Sequence, residues 1–125
     1  MCIRDRLSIG DRLHLAEVVL EVTSPRIPCV TLAVRMGDPV FAKRFRQAGR
    51  PGVYCRVIRA GDVRAGEAVR LEPYHGALLS IAQSFHDAFV REWDEAMIRR
   101  HLAAPIAVRD RVALQEQLAA LLATR

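Results

Sequence analysis

Val18-Val19-Leu20-Glu21-Val22-Thr23-Ser24-Pro25-Arg26-Ile27-Pro28-Cys29 is the stretch that decides the fold. In its first half Val18, Leu20 and Val22 alternate with Glu21 and Thr23, and Glu17 extends the polar side, the pattern of a half-buried β-strand. Its second half cannot continue a strand. Proline fixes φ near about −65° and pushes the residue before it into extended geometry, so Cys29 is predicted to sit on a stiff loop at the strand exit. A neighbouring guanidinium, Arg26, favours the thiolate, which is the form that attacks electrophiles and ligates soft metals. An unpaired cysteine is also commonly a small buried hydrophobe, so both readings of Cys29 stand at this level.

Outward from this stretch, residues 7–76 read as a β-rich unit. Leu13-His14-Leu15 alternates behind the turn signal Gly10-Asp11. Val53-Tyr54-Cys55-Arg56-Val57-Ile58-Arg59 predicts a third strand with Val53, Cys55 and Val57 on one face, which points Cys55 into a core. Ala68-Val69-Arg70-Leu71 predicts a fourth, after the turns at Gly61-Asp62 and Gly66-Glu67. Two short helices are expected between strands, from Cys29 to Met36 and from Val40 to Ala48, the second stopped by Gly49. Four short strands with two interrupting helices make an incomplete sheet.

Past Gly76 the period changes to 3.6. Ser80-Ile81-Ala82-Gln83 has capping-box form, and Ile81, Phe85 and Phe89 recur at i, i+4 and i+8. Asp94 caps a second helix running through His101 and Leu102, and Ala103-Ala104-Pro105 ends it. A third runs from Asp110 to Thr124 with the stripe Leu114, Leu118, Leu121 and Leu122. Three helices this short are marginal alone and need to lean on the β unit or on another subunit. Trp93, His86 and His101 have no partner at metal-ligand or triad spacing and read as packing or helix-surface residues.

Charge is unevenly distributed. The chain carries 19 basic and 14 acidic residues, a formal +5, yet Lys43 is its only lysine and alanine is as frequent as arginine. An Arg/Ala-rich, lysine-poor composition follows from GC-rich coding, which weakens any inference from basicity to nucleic acid. The whole excess lies in residues 1–76, with 13 basic against 8 acidic side chains, while 77–125 balance. A site for a small anion accounts for that as well as a nucleic-acid footprint does. Aromatics are few and do not interleave with arginines on a strand, which argues against a base-stacking platform. Three cysteines without CxxC spacing exclude a disulfide framework and a zinc signature. No phosphate-loop, dinucleotide-binding, zinc-protease or serine-hydrolase motif is present. Gly49-Arg50-Pro51-Gly52 is too short for a phosphate loop but offers Arg50 to an anion. With no apolar run of spanning length and no leader pattern at Met1–Arg6, a cytoplasmic location is expected. The charged, unpatterned Met1–Arg6 reads as a non-native start to a protein that is longer at its N-terminus.

A family resemblance rests on these residues. Ile9-Gly10-Asp11-Arg12, Val18 to Thr23 and Pro25-Arg26-Ile27-Pro28-Cys29, followed by Gly49-Arg50-Pro51-Gly52-Val53-Tyr54-Cys55-Arg56-Val57 and Gly61-Asp62-Val63-Arg64-Ala65-Gly66, resemble the MOSC domain family, named for the C-terminal part of molybdenum-cofactor sulfurase. The tail from Ser80 to Leu122 resembles the small three-helix domain that follows it in the YiiM-like branch. The resemblance implies an α+β protein: a partial MOSC-type mixed β-barrel over residues 7–76, its C-terminal half, and a three-helix domain over 77–125. It also implies a molybdopterin-type molybdenum cofactor ligated by Cys29, with Arg26 and Arg50 toward its anionic groups. The activity it implies is reduction of N-hydroxylated compounds such as hydroxylaminopurine, with electrons from a separate reductase, no membrane or nucleic-acid partner, and a homodimer. A non-catalytic cofactor or sulfur carrier using the same Cys29 is the alternative. The glycine- and histidine-rich motif of the family's first barrel half is not in this chain, so a fragment of this extent is expected to be inactive alone.

Overall fold

The computed structural model describes residues 6–125, so the reading of Met1–Arg6 as a non-native start lies almost wholly outside the described residues. The strands are β1 (Arg12–His14), β2 (Val19–Pro25), β3 (Val53–Arg59) and β4 (Arg70–Glu72). They form one sheet in the order β3-β2-β1-β4, with every neighbouring pair antiparallel. The α+β class expected from the sequence holds. The sheet is open, with β3 and β4 at its edges, and does not close into a barrel. β2 and β3 carry the longest pairing, from Val19↔Arg59 to Pro25↔Val53, with register shifts between Val19 and Leu20 and between Val22 and Ser24.

The helices are α1 (Val30–Met36), α2 (Phe41–Ala48), α3 (Ile81–Asp87), α4 (Glu95–Leu102) and α5 (Val108–Ala123). The predicted caps operate. Ser80 accepts from the Gln83 amide at 3.0 Å and Asp94 from the Met97 amide at 2.8 Å, each satisfying a first-turn donor. Only one arm of the capping box forms, because the Gln83 side chain turns forward to Asp87 at 2.8 Å. The last helix starts at Val108, two residues before the expected Asp110. Gly49 ends α2 at φ 64°, the left-handed geometry that glycine reaches without strain.

A single core joins the sheet to the helices. Its buried members are Leu7, Ile9, Val22, Leu79, Ile81, Ala104 and Ile106, so both sides of residue 76 contribute. The link is a short antiparallel bridge, Ser8↔Ser80, in which Ile9 donates to the Leu79 carbonyl and Ile81 to the Leu7 carbonyl, each at 2.9 Å. Asp11 reinforces it from a buried position, accepting from the amides of Ser8 and Tyr74 at 2.8 Å each. Gly10 is the tight point. Its φ is 97°, and a Cβ there would lie 2.6 Å from the Tyr74 ring and 2.8 Å from Pro105. On β3 the expected face holds for Val53 and Cys55, which pack on the core. Val57 is exposed, because β3 runs past the core as an edge strand.

Two arginines fasten the loop between α4 and α5. Arg56 donates to the carbonyls of Pro105 and Ile106 at 2.9 and 2.7 Å. Arg111 donates to those of Leu102 and Ala104 at 2.9 and 2.6 Å. Glu21 in turn bridges Arg12 at 3.0 Å and Arg56 at 3.4 Å. The Arg56 contact is electrostatic rather than a hydrogen bond, since its Nε has no hydrogen-bond partner among the described residues.

Candidate functional site

β2 ends at Pro25, and the chain crosses the three residues Arg26-Ile27-Pro28 to Cys29, the N-cap of α1. Cys29 is extended at φ −140° and ψ 173°, so the first-turn amides of α1 open toward its side chain. The field of the Leu32 amide is the largest influence on the sulfur. Partial desolvation opposes it, and the Thr31 amide, the Thr31 hydroxyl and finally the Arg26 guanidinium add to it, holding the thiol below its ordinary range. These amides lie around the sulfur without closing a formal cap hydrogen bond. Cys29 is exposed and free. It lies on the wall of an open, largely apolar groove of about 580 Å³ that also includes Pro28, Val30, Val34, Asp38 and Pro39.

Arg26 reaches the site through backbone as much as through charge. Its amide donates to the Gly52 carbonyl at 2.8 Å, which brings the Cys29 loop beside the turn that carries Arg50. Its guanidinium faces the Tyr54 hydroxyl at 3.4 Å. Arg26 favours the thiolate as the sequence suggested, but as the least of the influences that lower the thiol, behind the Leu32 amide and both groups of Thr31. Arg50 is exposed on the α2–β3 connection and joins no ion pair among the described residues. Cys55 behaves as expected of a core position, half-buried, with burial pushing its thiol up.

Residues 1–70 match the family model for the MOSC domain, more than half of the chain. The chain belongs to the MOSC domain family. Over 67 residues it is 37% identical to "Uncharacterized protein YflK" of Bacillus subtilis, covering 54% of this chain and 30% of that one. Over 76 residues it is 37% identical to a Gibberella moniliformis protein named "Reductase", covering 59% of this chain and 13% of that one. The fold extends the likeness across both halves. YiiM from Escherichia coli superposes with a TM-score of 0.80 at 21% identity, covering 94% of this chain and 58% of that one. YiiM from Geobacillus stearothermophilus gives 0.81 at 26%, covering 92% and 60%. This MOSC chain therefore spans less than a third of the curated relatives it matches and under two thirds of these solved structures.

The sequence missed one buried cluster. Asp87, 2% exposed, accepts from Arg100 at 2.7 Å and pairs with the ring Nε2 of His101 at 2.8 Å. Burial pushes the Asp87 carboxyl up, but the hydrogen bonds from His101, Arg100 and Gln83 outweigh it and hold the group below its usual range. Trp93 stacks on His101 at 4.4 Å and donates its indole N–H to the Asp87 carbonyl at 3.1 Å. The packing role expected of Trp93 and His101 is thus correct in kind, and its polar partner lies fourteen residues from His101, beyond any local spacing rule. His86 is exposed, as expected of a helix-surface residue. Phe85 of the α3 stripe meets Phe45 of α2 and Phe89 edge-on at 6.1 and 5.2 Å.

Proposed function

We propose that Cys29 is the protein ligand of a molybdopterin-type molybdenum cofactor in a MOSC oxidoreductase that reduces N-hydroxylated compounds, hydroxylaminopurine among them. The observation that carries this reading is the state of Cys29: exposed, held toward thiolate, and placed by a proline-stiffened loop within the residues the MOSC model matches. The donor set fits such a group. Among the described residues no three His, Cys, Asp or Glu side chains gather as a metal site, and Cys29 offers one exposed thiol. A single soft thiolate suits a soft metal.

The cofactor, when bound, supplies the redox chemistry. Reduction of an N–OH group consumes two electrons and two protons and releases water, and the electrons come from a separate reductase. This chain's residues contribute position and charge. The Pro25–Pro28 loop fixes the sulfur, the α1 amides favour its thiolate, and Arg26 and Arg50, on loops joined by the Arg26–Gly52 hydrogen bond, would hold the cofactor's anionic groups. The relative named "Reductase" supports the reaction class. Among the described residues no helix is long and apolar enough to cross a membrane.

Metal analysis and hydroxylaminopurine turnover, measured on the MOSC protein containing this chain, test the proposal. Wild type is expected to hold molybdenum and turn over with an electron donor, Cys29→Ser to lose both, and Cys55→Ser to keep both. Metal without turnover in wild type supports a carrier instead. Full activity in Cys29→Ser overturns the assignment.

A further inference from the structure

A second cavity, of about 240 Å³, lies behind the Cys29 loop, between the end of β2 and helices α3, α4 and α5. Its floor is apolar, with Ile9, Ile106 and Leu114, and one wall is aromatic, where Trp93 stacks on the buried His101. Polar side chains also line it, Thr23, Ser24, Ser84, His101 and Asp110. Ser84 is more than nine-tenths buried. Asp110, in the first turn of α5, has only an Arg109 guanidinium at 3.9 Å, beyond hydrogen-bond distance. The surroundings are rigid. Arg56 and Arg111 pin the carbonyls of the α4–α5 loop that carries Ile106, and Asp87 fixes the His101 ring.

We propose that this cavity binds a small aromatic amine, its ring against Trp93 and its ammonium at Asp110. Size admits one ring: an apolar protein cavity of about 150 Å³ is enough to hold a benzene, so 240 Å³ leaves room for a ring and an aminomethyl group. Charge selects the sign. Residues 77–125, which supply most of the lining, carry no net charge, so the local carboxylate is not drowned by the positive excess of residues 1–76. This site goes beyond the molybdenum reading and does not depend on it, although Pro25 and Ile27 of the Cys29 loop form part of its wall.

Trp93 is the only tryptophan, so its fluorescence reports on the cavity directly. Benzylamine, benzyl alcohol and benzoate have nearly one shape and differ in charge. Benzylamine is expected to change the emission saturably and to bind about three- to five-fold more tightly than benzyl alcohol, the worth of a solvent-reached ion pair. Benzoate is expected not to bind. Asp110→Asn should remove the preference for the amine and retain benzyl alcohol binding. Ala113→Leu, which fills the cavity from an exposed position on α5, should abolish both, with the circular dichroism of each variant unchanged. Equal affinity for amine and alcohol, or no saturable response to benzylamine by fluorescence and by saturation-transfer NMR, overturns the proposal.

Discussion

The two ends of β2 are built on opposite principles. Its middle, at Val22, lies in a core with no exposed surface, closed by Ile9 and Leu79. Its exit leads to Cys29 and to α1 and α2, neither of which buries a single residue; Val30 is 79% exposed and Val34 74%. Buried packing is therefore concentrated in the joint between sheet and helices, and the candidate thiol sits on a stiff but uncovered outwork. The loop prolines supply by covalent restriction what the core supplies elsewhere by packing.

That contrast breaks most visibly under truncation. Ile9→Ala opens a void in a fully buried site and is expected to cost about 2–5 kcal/mol, whereas Val34→Ala, on the exposed face of α1, should stay within about 0.5 kcal/mol. Urea unfolding of both variants measures the gap. Comparable losses would mean that α1 is packed in solution against something that covers it.

The buried ion cluster comes next. Asp87→Asn leaves His101 and Arg100 facing an amide and is expected to cost about 2–3 kcal/mol, less than the roughly 3–5 kcal/mol of a fully buried broken pair because Arg100 reaches solvent. The pH dependence has a definite sign. A carboxyl held below its usual range contributes stability that is complete above the unfolded-state value, near about pH 4, and that disappears as pH falls through the folded one. Wild type should lose this contribution in acid, and Asp87→Asn should lack that part of the decline. An identical acid limb in both proteins would remove Asp87 from the account.

How much of this was legible follows the range of the interactions. The caps at Ser80 and Asp94 and the stop at Gly49 are local signals, and each forms as read. The strand at Val19–Pro25 forms without the strict alternation expected, Val19 and Thr23 being buried and Leu20 half-buried across its register shifts. The loop placing Cys29 was legible because proline acts on its own neighbours. The Ser8↔Ser80 bridge, the Asp87–His101 pair and the Arg56 clamp on residues 105 and 106 were not, since each joins segments that no periodicity connects. At the site itself, the charge of Arg26 is written in the sequence, whereas the convergence of the Leu32 and Thr31 amides on a sulfur exists only once α1 has formed.

The two thiols sharpen the comparison without unfolding anything. Cys55→Ser exchanges a half-buried thiol for a hydroxyl and is expected to cost about 1 kcal/mol, while Cys29→Ser should leave the unfolding midpoint where it is. Iodoacetamide should modify Cys29 well before Cys55 near neutral pH, with peptide mapping to locate the label. Exposure and a lowered thiol range act together at the first; burial and a raised range act together at the second.

The smallest effect separates the sources of the thiolate at Cys29. Arg26 is the least of the influences that lower its range, behind the Leu32 amide and both groups of Thr31. Arg26→Gln is therefore expected to move the pH midpoint of Cys29 alkylation upward only slightly, while Thr31→Val, which removes the hydroxyl and keeps the amide, should move it at least as far. The direction is fixed for both: losing a group that favours the anion raises the thiol toward its ordinary range, so labelling starts at higher pH. Salt supplies an independent check, because a guanidinium acting through solvent is screened, whereas amides next to the sulfur are screened far less. The midpoint should accordingly change little between low and high ionic strength. A large upward move in Arg26→Gln that salt reproduces in wild type would transfer the leading role from the turn of α1 to the arginine, and the uncovered outwork would then depend on charge rather than on backbone.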